Sequence, residues 1–377
     1  MQNIDRITKK ELSTRYRIPS GCAVFGIMDE SGHRFDGSKV LEGISMMHDR
    51  SNGLGGGFAA YGIYPQFDRD WAFHMMYEDV VALQQTEDLL FKNFEILHSE
   101  EIPVNKKIKV GQPPLVYRYF LKVNPEYSHM EEDYIVKLVM DINSSIRGAY
   151  VMSSGKNMGI FKGVGYPEEI GRFFKIEDYQ GHIWTSHGRF PTNSVGWWGG
   201  AHPFGLLNWS VVHNGEISSY GSNQRFVSDF GYRCSLSTDT EVITYLFDLL
   251  VRKEKIDINL IHLILSAPLW EEIDRLPARQ GDVARTLRIL YGGCLLNGPF
   301  NIIVGHNDFM YALNDRIKLR PMVAARKGNF LIVASEEAAI RKVCPVPDTV
   351  WHPEGGQPVI GVVKSKKRPD VIKKVGV

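Results

Sequence analysis

Cysteine is scarce in this sequence: the 377 residues include only Cys22, Cys234, Cys294 and Cys344. No two of them form a CxxC pair, so we expect no zinc site or iron–sulfur cluster held by this chain alone, and no disulfide framework. Long apolar runs are also missing, because no stretch approaches the 18 or so residues of a membrane-spanning helix. The glycine-rich GxGxxG and GxxxxGK[ST] patterns that bind nucleotide phosphates are absent as well.

An excess of either charge is lacking too. The 44 Lys and Arg residues nearly balance 43 Asp and Glu residues, leaving a net charge of +1. A broad electrostatic field for nucleic acids or membranes is therefore not expected. Residues 1–21 form a basic, polar leader without the apolar core of a secretory signal, which predicts a cytoplasmic protein. The length suits either two domains or one large domain with an insertion.

Apolar patterning predicts an α+β protein. We expect a strand over 22–28, a helix over 38–49, a glycine-dense loop and then a strand over 58–64. Further on, the pattern favours strands near 148–153, 158–162, 181–187 and 206–213, a helix over 240–252, more helices up to about 290, and paired strands at 299–305, 309–313, 321–326 and 329–334. Strands at both ends with helices between them indicate a sandwich. Residues 366–377 form a basic tail.

Residues 66–145 differ in composition from their surroundings and are predicted to form an inserted α/β subdomain. Helical patterns over 88–98 and 130–146 and a strand pattern over 115–123 favour a ferredoxin-like arrangement. Nothing in this segment indicates chemistry, so a scaffold or a partner-docking role is expected for it.

Cys22 follows the small-residue junction at Gly21 and begins the first predicted strand. If the peptide bond before it is cut, its own α-amino group becomes available as a general base for the thiol. Such an amine has an unperturbed pKa of about 7.7–8.0. The alternative is a buried structural cysteine, since free cysteine also behaves as a small apolar side chain.

Arg189 follows a strand-like segment and can bind a carboxylate through two parallel hydrogen bonds, with the Thr192 hydroxyl adding a third. A surface ion pair is the alternative for the arginine. The next loop, 193–200, has glycines around Trp197 and Trp198, which is a pattern suited either to a mobile lid or to ordinary loop packing.

Asn214 and Gly215 end an apolar strand. A side-chain amide beside a glycine N–H can form an oxyanion hole, although Asn-Gly is also the favoured dipeptide of a type I′ hairpin. Asp239, just before a predicted helix, can bind a ligand ammonium or act as a helix cap. Together with Cys22 and Arg189, these groups would hold an α-amino acid by both backbone ends while its side-chain amide is attacked.

These motifs resemble the class II glutamine amidotransferase domain, an N-terminal-nucleophile hydrolase, and most of all the glutaminase domain of glutamate synthase. The order and spacing of HGRFPTNSVGWWGGAHPF, VVHNGEI and STDTEVI carry the resemblance. Residues 48–50 (HDR), 162–165 (KGVG), 315–321 (DRIKLRP) and 334–336 (ASE) add to it. The resemblance spans roughly 22–65 and 148–365 and implies a four-layer αββα fold with Cys22 on an inner strand.

The resemblance also implies a role for each residue at the nucleophile. Cys22 would be the nucleophile after removal of the leader, and Arg50 would orient its amine. Asn214 and Gly215 would form the oxyanion hole. One departure concerns Arg50. Where the family usually reads HRG, with the arginine directly after the histidine, Asp49 is inserted between His48 and Arg50.

For the substrate, the resemblance implies a second set of contacts. Arg189 and Thr192 would hold the glutamine α-carboxylate, and Asp239 would hold the α-ammonium. Two further departures are the large segment 66–145 and the absence of the flavin- and cluster-bearing region that glutamate synthases carry in one long chain.

The resemblance therefore implies a glutaminase subunit that passes ammonia to a synthase partner. No cofactor or metal is expected on this chain, whereas FMN and iron–sulfur clusters are expected on partner subunits. Three alternatives remain: a glutaminase subunit of N-methylglutamate synthase, an N-terminal-nucleophile hydrolase acting on another amide, and a non-catalytic docking subunit.

Overall fold

The computed structural model describes residues 21–190 and 196–364. Its strands, in chain order, are β1 (Ala23–Asp29), β2 (Phe35–Asp36), β3 (Gly56–Tyr61), β4 (Trp71–Tyr77), β5 (Phe94–Glu101), β6 (Leu115–Val123), β7 (Ala149–Ser153), β8 (Met158–Gly163), β9 (Gln180–Gly181), β10 (Ile183–Gly188), β11 (Phe204–Leu206), β12 (Trp209–Gly215), β13 (Phe300–His306), β14 (Phe309–Asn314), β15 (Val323–Lys327), β16 (Phe330–Ala334), β17 (Thr349–Trp351) and β18 (Val359–Val362). Its α-helices are α1 (Ser38–Ser45), α2 (Val80–Asn93), α3 (Glu131–Ser145), α4 (Pro167–Phe173), α5 (Tyr220–Asp229), α6 (Asp239–Phe247), α7 (His262–Leu265), α8 (Trp270–Arg275), α9 (Ala278–Leu290) and α10 (Glu337–Val343).

Strand β1 lies inside the larger sheet, whose order is β17-β15-β16-β1-β10-β3-β8. Its two faces are buried by different layers. Gly26 faces the second sheet, where Met310 and Ile303 lie, while Phe25 on the other face packs against Gly43 of α1. Residues two apart share a face of a strand, so Cys22, at the start of β1, lies on the side that faces the second sheet.

The second sheet has the order β11-β12-β13-β14-β18 and stacks on the larger one through β12 and β13. Helices α1, α4 and α10 cover the outer face of the larger sheet, and α6 covers the outer face of the second. Helix α6 continues as a π-helix over Asp248–Lys253. This is the expected four-layer αββα arrangement, with the start of β1 between the two sheets.

A third sheet, β5-β6-β4-β7, is made by the chain between β3 and β8. With helices α2 and α3 it gives a βαββαβ order in which all neighbouring strands are antiparallel, the ferredoxin-like arrangement. Its fourth strand, β7, lies beyond the 66–145 range expected for the insertion. The segment emerges between two strands that are neighbours in the larger sheet.

The helix predicted over 88–98 is wrong in its second half. Helix α2 begins earlier, at Val80, with Asp79 accepting a hydrogen bond from the Ala82 N–H as its N-cap, and ends at Asn93. Residues Phe94–Glu101 form strand β5 at the sheet edge. Pairing with β6 overrides the local helical pattern there, as tertiary context commonly does.

The strand predicted over 206–213 is divided into β11 and β12 by a turn, and most of the other predicted elements are present with shifted ends. The helix predicted over 38–49 stops at Ser45 and is followed by a 3₁₀ turn at His48–Arg50. None of the described helices is long and apolar enough to cross a membrane. The leader, apart from its last residue Gly21, and the tail 366–377 lie outside the described residues.

Candidate functional site

Cys22 lies at the start of β1, next to the end of β10. The register pairs Ala23 with Gly188, so the chain leaving β10 passes the cysteine. The backbone N–H of Phe190 lies 3.3 Å from the Cys22 Sγ and donates a hydrogen bond to it, and the Phe190 carbonyl oxygen lies 3.8 Å from the same sulfur. The neighbouring strand therefore supplies a backbone donor to the sulfur.

Burial dominates the acidity of this thiol. It raises the pKa of Cys22, while the Phe190 hydrogen bond and the charges of Arg189 and Arg320 act in the opposite direction, and Glu216 adds to the rise. The net effect is an elevated pKa, so the protonated thiol is favoured at neutral pH. Nucleophilic attack by this sulfur thus requires a base close to it.

Arg50 lies beside the backbone of Cys22. Its Nε donates to the Cys22 carbonyl oxygen at 3.3 Å, and its Nη1 lies 2.8 Å from Glu336 Oε1. The 3₁₀ turn of residues 48–50 brings the guanidinium to this position despite the extra residue in the HDR motif. The structure thus brings Arg50 and Cys22 together, as the sequence predicted.

Asn214 and Gly215 close strand β12 on the facing sheet. The Asn214 side chain is fully buried, and its Nδ2 lies 3.4 Å from Ser335 Oγ. Ser335 in turn is tied to β1, because its Oγ accepts from the Val24 N–H at 3.1 Å and its own N–H donates to the Val24 carbonyl at 3.0 Å. The amide is therefore linked to the strand that carries the nucleophile.

The hairpin interpretation of Asn214-Gly215 is wrong. Strand β12 pairs with β13, which begins at Phe300, far along the chain, so no two-residue turn joins them. Gly215 has φ +146°, and a Cβ at this position would overlap the carbonyl oxygen of Pro299. Only glycine fits this close approach.

Asp239 is the first residue of α6, but it does not cap that helix. Thr238 is the N-cap, whereas the Asp239 carboxylate accepts from the Ile217 N–H at 3.1 Å and lies 3.4 Å from His213 Nδ1. Burial alone would raise its pKa. The charge of His213 and hydrogen bonds from His213, Ile217 and Thr240 outweigh that effect and lower the pKa of Asp239 to about 2.

Arg189 lies directly after β10, and its charge acts on both Cys22 and Asp239. Burial lowers its pKa, and those two acidic groups oppose the shift. Its backbone is fixed, since its N–H donates to the Gly55 carbonyl at 2.8 Å and its carbonyl accepts from Ser51 Oγ at 3.1 Å. Cys22, Arg189 and Asp239 are thus electrostatic neighbours between the two sheets.

Two sequence predictions fall on or near residues 191–195. Thr192 lies outside the described residues. Trp197 and Trp198 are described, and they pack into the protein: Trp197 contacts Tyr150 edge-on, and Trp198 lies against Gly163 and Phe173.

Sequence reasoning missed the parts of the site that carry no side-chain signal. Phe190 acts through its backbone N–H, so its residue type holds no clue to its role. Ser335 and Glu336 were noted only as part of a motif, and pairing of β16 with β1 brings them to Asn214 and Arg50. Within residues 21–190 and 196–364, no three His, Cys, Asp or Glu side chains come together as a metal site.

Part of the chain matches a known protein family. A sequence profile of the class II glutamine amidotransferases matches residues 83–234, a stretch that includes Arg189 and Asn214 but not Cys22. The chain is 49% identical over 353 residues to an uncharacterized protein of Archaeoglobus fulgidus, which covers 92% of this chain and 93% of that one.

More distant relatives carry named functions. The chain is 26% identical over 208 residues to the glutamine amidotransferase-like protein GlxB of Rhizobium meliloti, covering 54% of this chain and 59% of that one. A solved structure of glutamine phosphoribosylpyrophosphate amidotransferase from B. subtilis superposes with a TM-score of 0.45 and 16% identity, over 90% of this chain and 47% of that one. The chain therefore contains a class II glutamine amidotransferase domain, matched over residues 83–234.

Proposed function

We propose that this chain is a glutaminase subunit that hydrolyses glutamine to glutamate and ammonia through Cys22. The observation that carries the proposal is the meeting of three groups: the charge of Arg189 acts on both the Cys22 thiol and the Asp239 carboxylate. A guanidinium whose charge acts on both a thiol and a carboxylate matches the two charged ends of a free α-amino acid whose side chain reaches the thiol. Glutamine places its side-chain amide where a sulfur can attack it.

In the proposed reaction, the Gly21–Cys22 bond has been cut and the Cys22 amine is free. The amine takes the thiol proton as Sγ bonds to the glutamine Cδ. Asn214 Nδ2 and the Gly215 N–H then donate to the resulting oxyanion. The C–N bond breaks as the amine returns the proton to the leaving nitrogen, and ammonia departs. Water then adds to the thioester, its proton going to the amine. The S–C bond breaks as the amine returns this proton to the sulfur, which releases glutamate and restores the thiol and the free amine.

The elevated pKa of the Cys22 thiol supports a mechanism with a built-in base. A thiol that remains protonated at neutral pH gains nucleophilicity only when a neighbouring group accepts its proton. Arg50, held 3.3 Å from the Cys22 carbonyl oxygen, is placed to orient the released amine. Hydrolysis of an amide without a free amino-acid end is less well matched, since such a substrate offers no charged groups for Arg189 and Asp239 to bind.

The proposal extends to a partner. Ammonia released by glutamine amidotransferases serves a second reaction, and we propose that a synthase subunit of the glutamate synthase type receives it here. FMN and iron–sulfur clusters would then belong to the partner, since the four cysteines of this chain are scattered. The same cysteine usage suits a cytoplasmic complex. A subunit of N-methylglutamate synthase is the alternative with the same chemistry.

The test is hydrolysis of glutamine by the purified chain, followed as glutamate and ammonia, together with the intact mass of the active species. We expect an active protein that begins at Cys22 and an inactive Cys22→Ala variant with an unchanged melting temperature. An active species that still begins at Met1 would exclude the amine as base. Full activity of Cys22→Ala would exclude the whole mechanism, and the complete absence of hydrolysis, even with the synthase, would favour a docking-only subunit.

A further inference from the structure

Arg320 lies in a turn whose backbone is held by a buried carboxylate. Asp315 is 3% exposed, and its side chain accepts from the N–H groups of Ile317 at 3.2 Å, Leu319 at 2.9 Å and Arg320 at 3.2 Å. A carboxylate that accepts several backbone hydrogen bonds fixes the turn around it. The position from which the Arg320 side chain departs is therefore fixed.

The guanidinium of Arg320 lies beside the bond that precedes the nucleophile. A Cβ built on Gly21 would lie 3.6 Å from Arg320 Nη1 and 3.6 Å from Arg50 Nη2. The charge of Arg320 also acts on the Cys22 thiol. Two arginines, from two distant parts of the chain, thus flank the atoms where the α-amine of Cys22 is released.

The two arginines differ in what else they contact. Arg50 has a carboxylate partner, since its Nη1 lies 2.8 Å from Glu336. The Nε of Arg320 is buried and has no hydrogen-bond partner among the described residues. The carboxylate nearest to it along the chain, Asp315, is occupied by backbone N–H groups. Among the described residues, Arg320 therefore forms no ion pair with a carboxylate, unlike Arg50.

We propose that Arg320 is a positioning residue that keeps the α-amine of Cys22 in its neutral, proton-accepting form by holding a positive charge beside it. This inference rests on the proposed function. A like charge nearby disfavours the protonated form of an amine. An unperturbed α-amine is largely protonated at pH 7, and only the neutral form can accept the thiol proton.

Other charged groups also lie close to the α-amine of Cys22. Those that face Cys22 or its backbone, from each element packed against it, are Arg50, Arg189, Glu216, Arg320 and Glu336. Arg189 is reserved for the substrate carboxylate, and Glu336 offsets Arg50. With glutamine bound, Arg320 is the arginine beside Cys22 whose charge is not paired with the substrate or with Glu336.

The experiment compares Arg320→Gln and Arg320→Lys in the full chain, with Arg316→Gln as the matched control in the same turn. Arg316 contacts the Ala267 carbonyl instead of Cys22. In Arg320→Gln we expect the acidic limb of the kcat/KM profile for glutamine to move up by about one pH unit, with activity recovering at high pH. Arg320→Lys and Arg316→Gln should keep the wild-type limb.

A second readout does not depend on hydrolysis. The rate of Cys22 alkylation by iodoacetamide, followed by mass spectrometry across pH, should shift upward in Arg320→Gln by a similar amount and not in Arg316→Gln. If Arg320→Gln is unstable, Arg320→Met replaces it as a second neutral variant.

The inference is overturned if neither the kcat/KM profile nor the alkylation profile shifts in a folded neutral variant. It is also overturned if Arg320→Lys loses as much activity as Arg320→Gln and does so equally at every pH. The proposed function fails separately, through an active wild-type species that retains Met1 or an active Cys22→Ala variant.

Discussion

Lys162 Nζ donates a hydrogen bond to the carbonyl oxygen of Gly199 at 2.9 Å. The lysine lies on β8 and is 2% exposed, and its Nζ is 4.2 Å from the centre of the Phe204 ring. Burial lowers the pKa of Lys162 to about 7, against the attraction of Glu241. The larger sheet thereby holds the described end of the loop that follows Arg189.

Replacing Lys162 by methionine should weaken glutamine binding. Because Lys162 is only partly charged near neutral pH, we use the ordinary hydrogen-bond contribution of about 0.5–1.5 kcal/mol and expect KM to rise about two- to tenfold while kcat changes less. The control is Lys106→Met, which replaces an exposed lysine of the insertion, measured by the same steady-state kinetics. An unchanged KM in a folded Lys162→Met protein would contradict this role for the contact.

Cysteine labelling should separate Cys22 from the other three thiols. Burial raises the pKa of Cys234 to about 12 and that of Cys294 still further, so neither forms a thiolate near neutral pH. A glutamine-like electrophile such as a diazo-ketone analogue should modify Cys22 alone, and glutamine should protect it. Peptide mass mapping decides the matter, and labelling that centres on Cys234, Cys294 or Cys344 would refute the site.

Removing the side chain that binds either charged end of glutamine should weaken glutamine binding. Arg189→Ala and Asp239→Ala each leave one charged end of glutamine unpaired, which costs about 2–5 kcal/mol and raises KM steeply. Because the pKa of Asp239 is about 2, its carboxylate stays charged as the pH falls, so its contribution to binding should hold down to about pH 3. Binding of glutamine to the Cys22→Ala variant across pH measures this, because glutamine itself does not titrate between about pH 3 and 6, and a midpoint near pH 4–5 would show that the carboxylate is not held as described.

Asn214→Ala should act on the chemical step instead. Loss of one oxyanion donor lowers kcat by about 10²–10³-fold. KM should change little, since Asn214 is not expected to bind either charged end of glutamine. Single-turnover kinetics separate the two effects, and thermal unfolding checks that the loss of the Ser335 contact leaves the fold intact. A rise in KM at constant kcat would assign Asn214 to binding.

Acid should destabilise the protein through His74, at the contact between the insertion and the larger sheet. Its Nδ1 bonds to the Ile160 carbonyl at 3.0 Å and its Nε2 to the Tyr64 hydroxyl at 2.7 Å. Burial, and then the charge of Arg118, lower the pKa of His74 to about 3. Below the unfolded value of about 6.5 the unfolded chain binds a proton that the folded chain does not, so stability falls as pH falls toward 3.

The expected loss from this one group between pH 7 and pH 5 is about 2 kcal/mol. Urea unfolding of the wild type and of His74→Gln at both pH values measures it. The difference between the two proteins should narrow by that amount at pH 5. A constant difference would mean that His74 is protonated in the folded state.

Apolar patterning predicted an α+β sandwich, and the family resemblance implied its αββα layers and a site made of Cys22, Arg50, Arg189, Asn214 and Asp239. Apolar patterns identify buried strands, and the order and spacing of the motifs identify the candidate side chains of the site. The Phe190 N–H and the Ser335 link to Asn214 depend on strand register, which no local pattern specifies. The helix expected over 88–98 failed for the same reason, since pairing with β6 decided the state of residues 94–101.

The insertion between β3 and β8 begins and ends at nearly the same place. The Gly62 N–H donates to the Asn157 carbonyl at 2.7 Å, directly beyond the last strand pair, Tyr61 with Met158. The whole ferredoxin-like unit therefore takes the place of the loop that would join β3 and β8 as a hairpin. A short turn could connect these two strands without moving either of them. Evolution can lengthen, exchange or delete such a unit without moving Cys22.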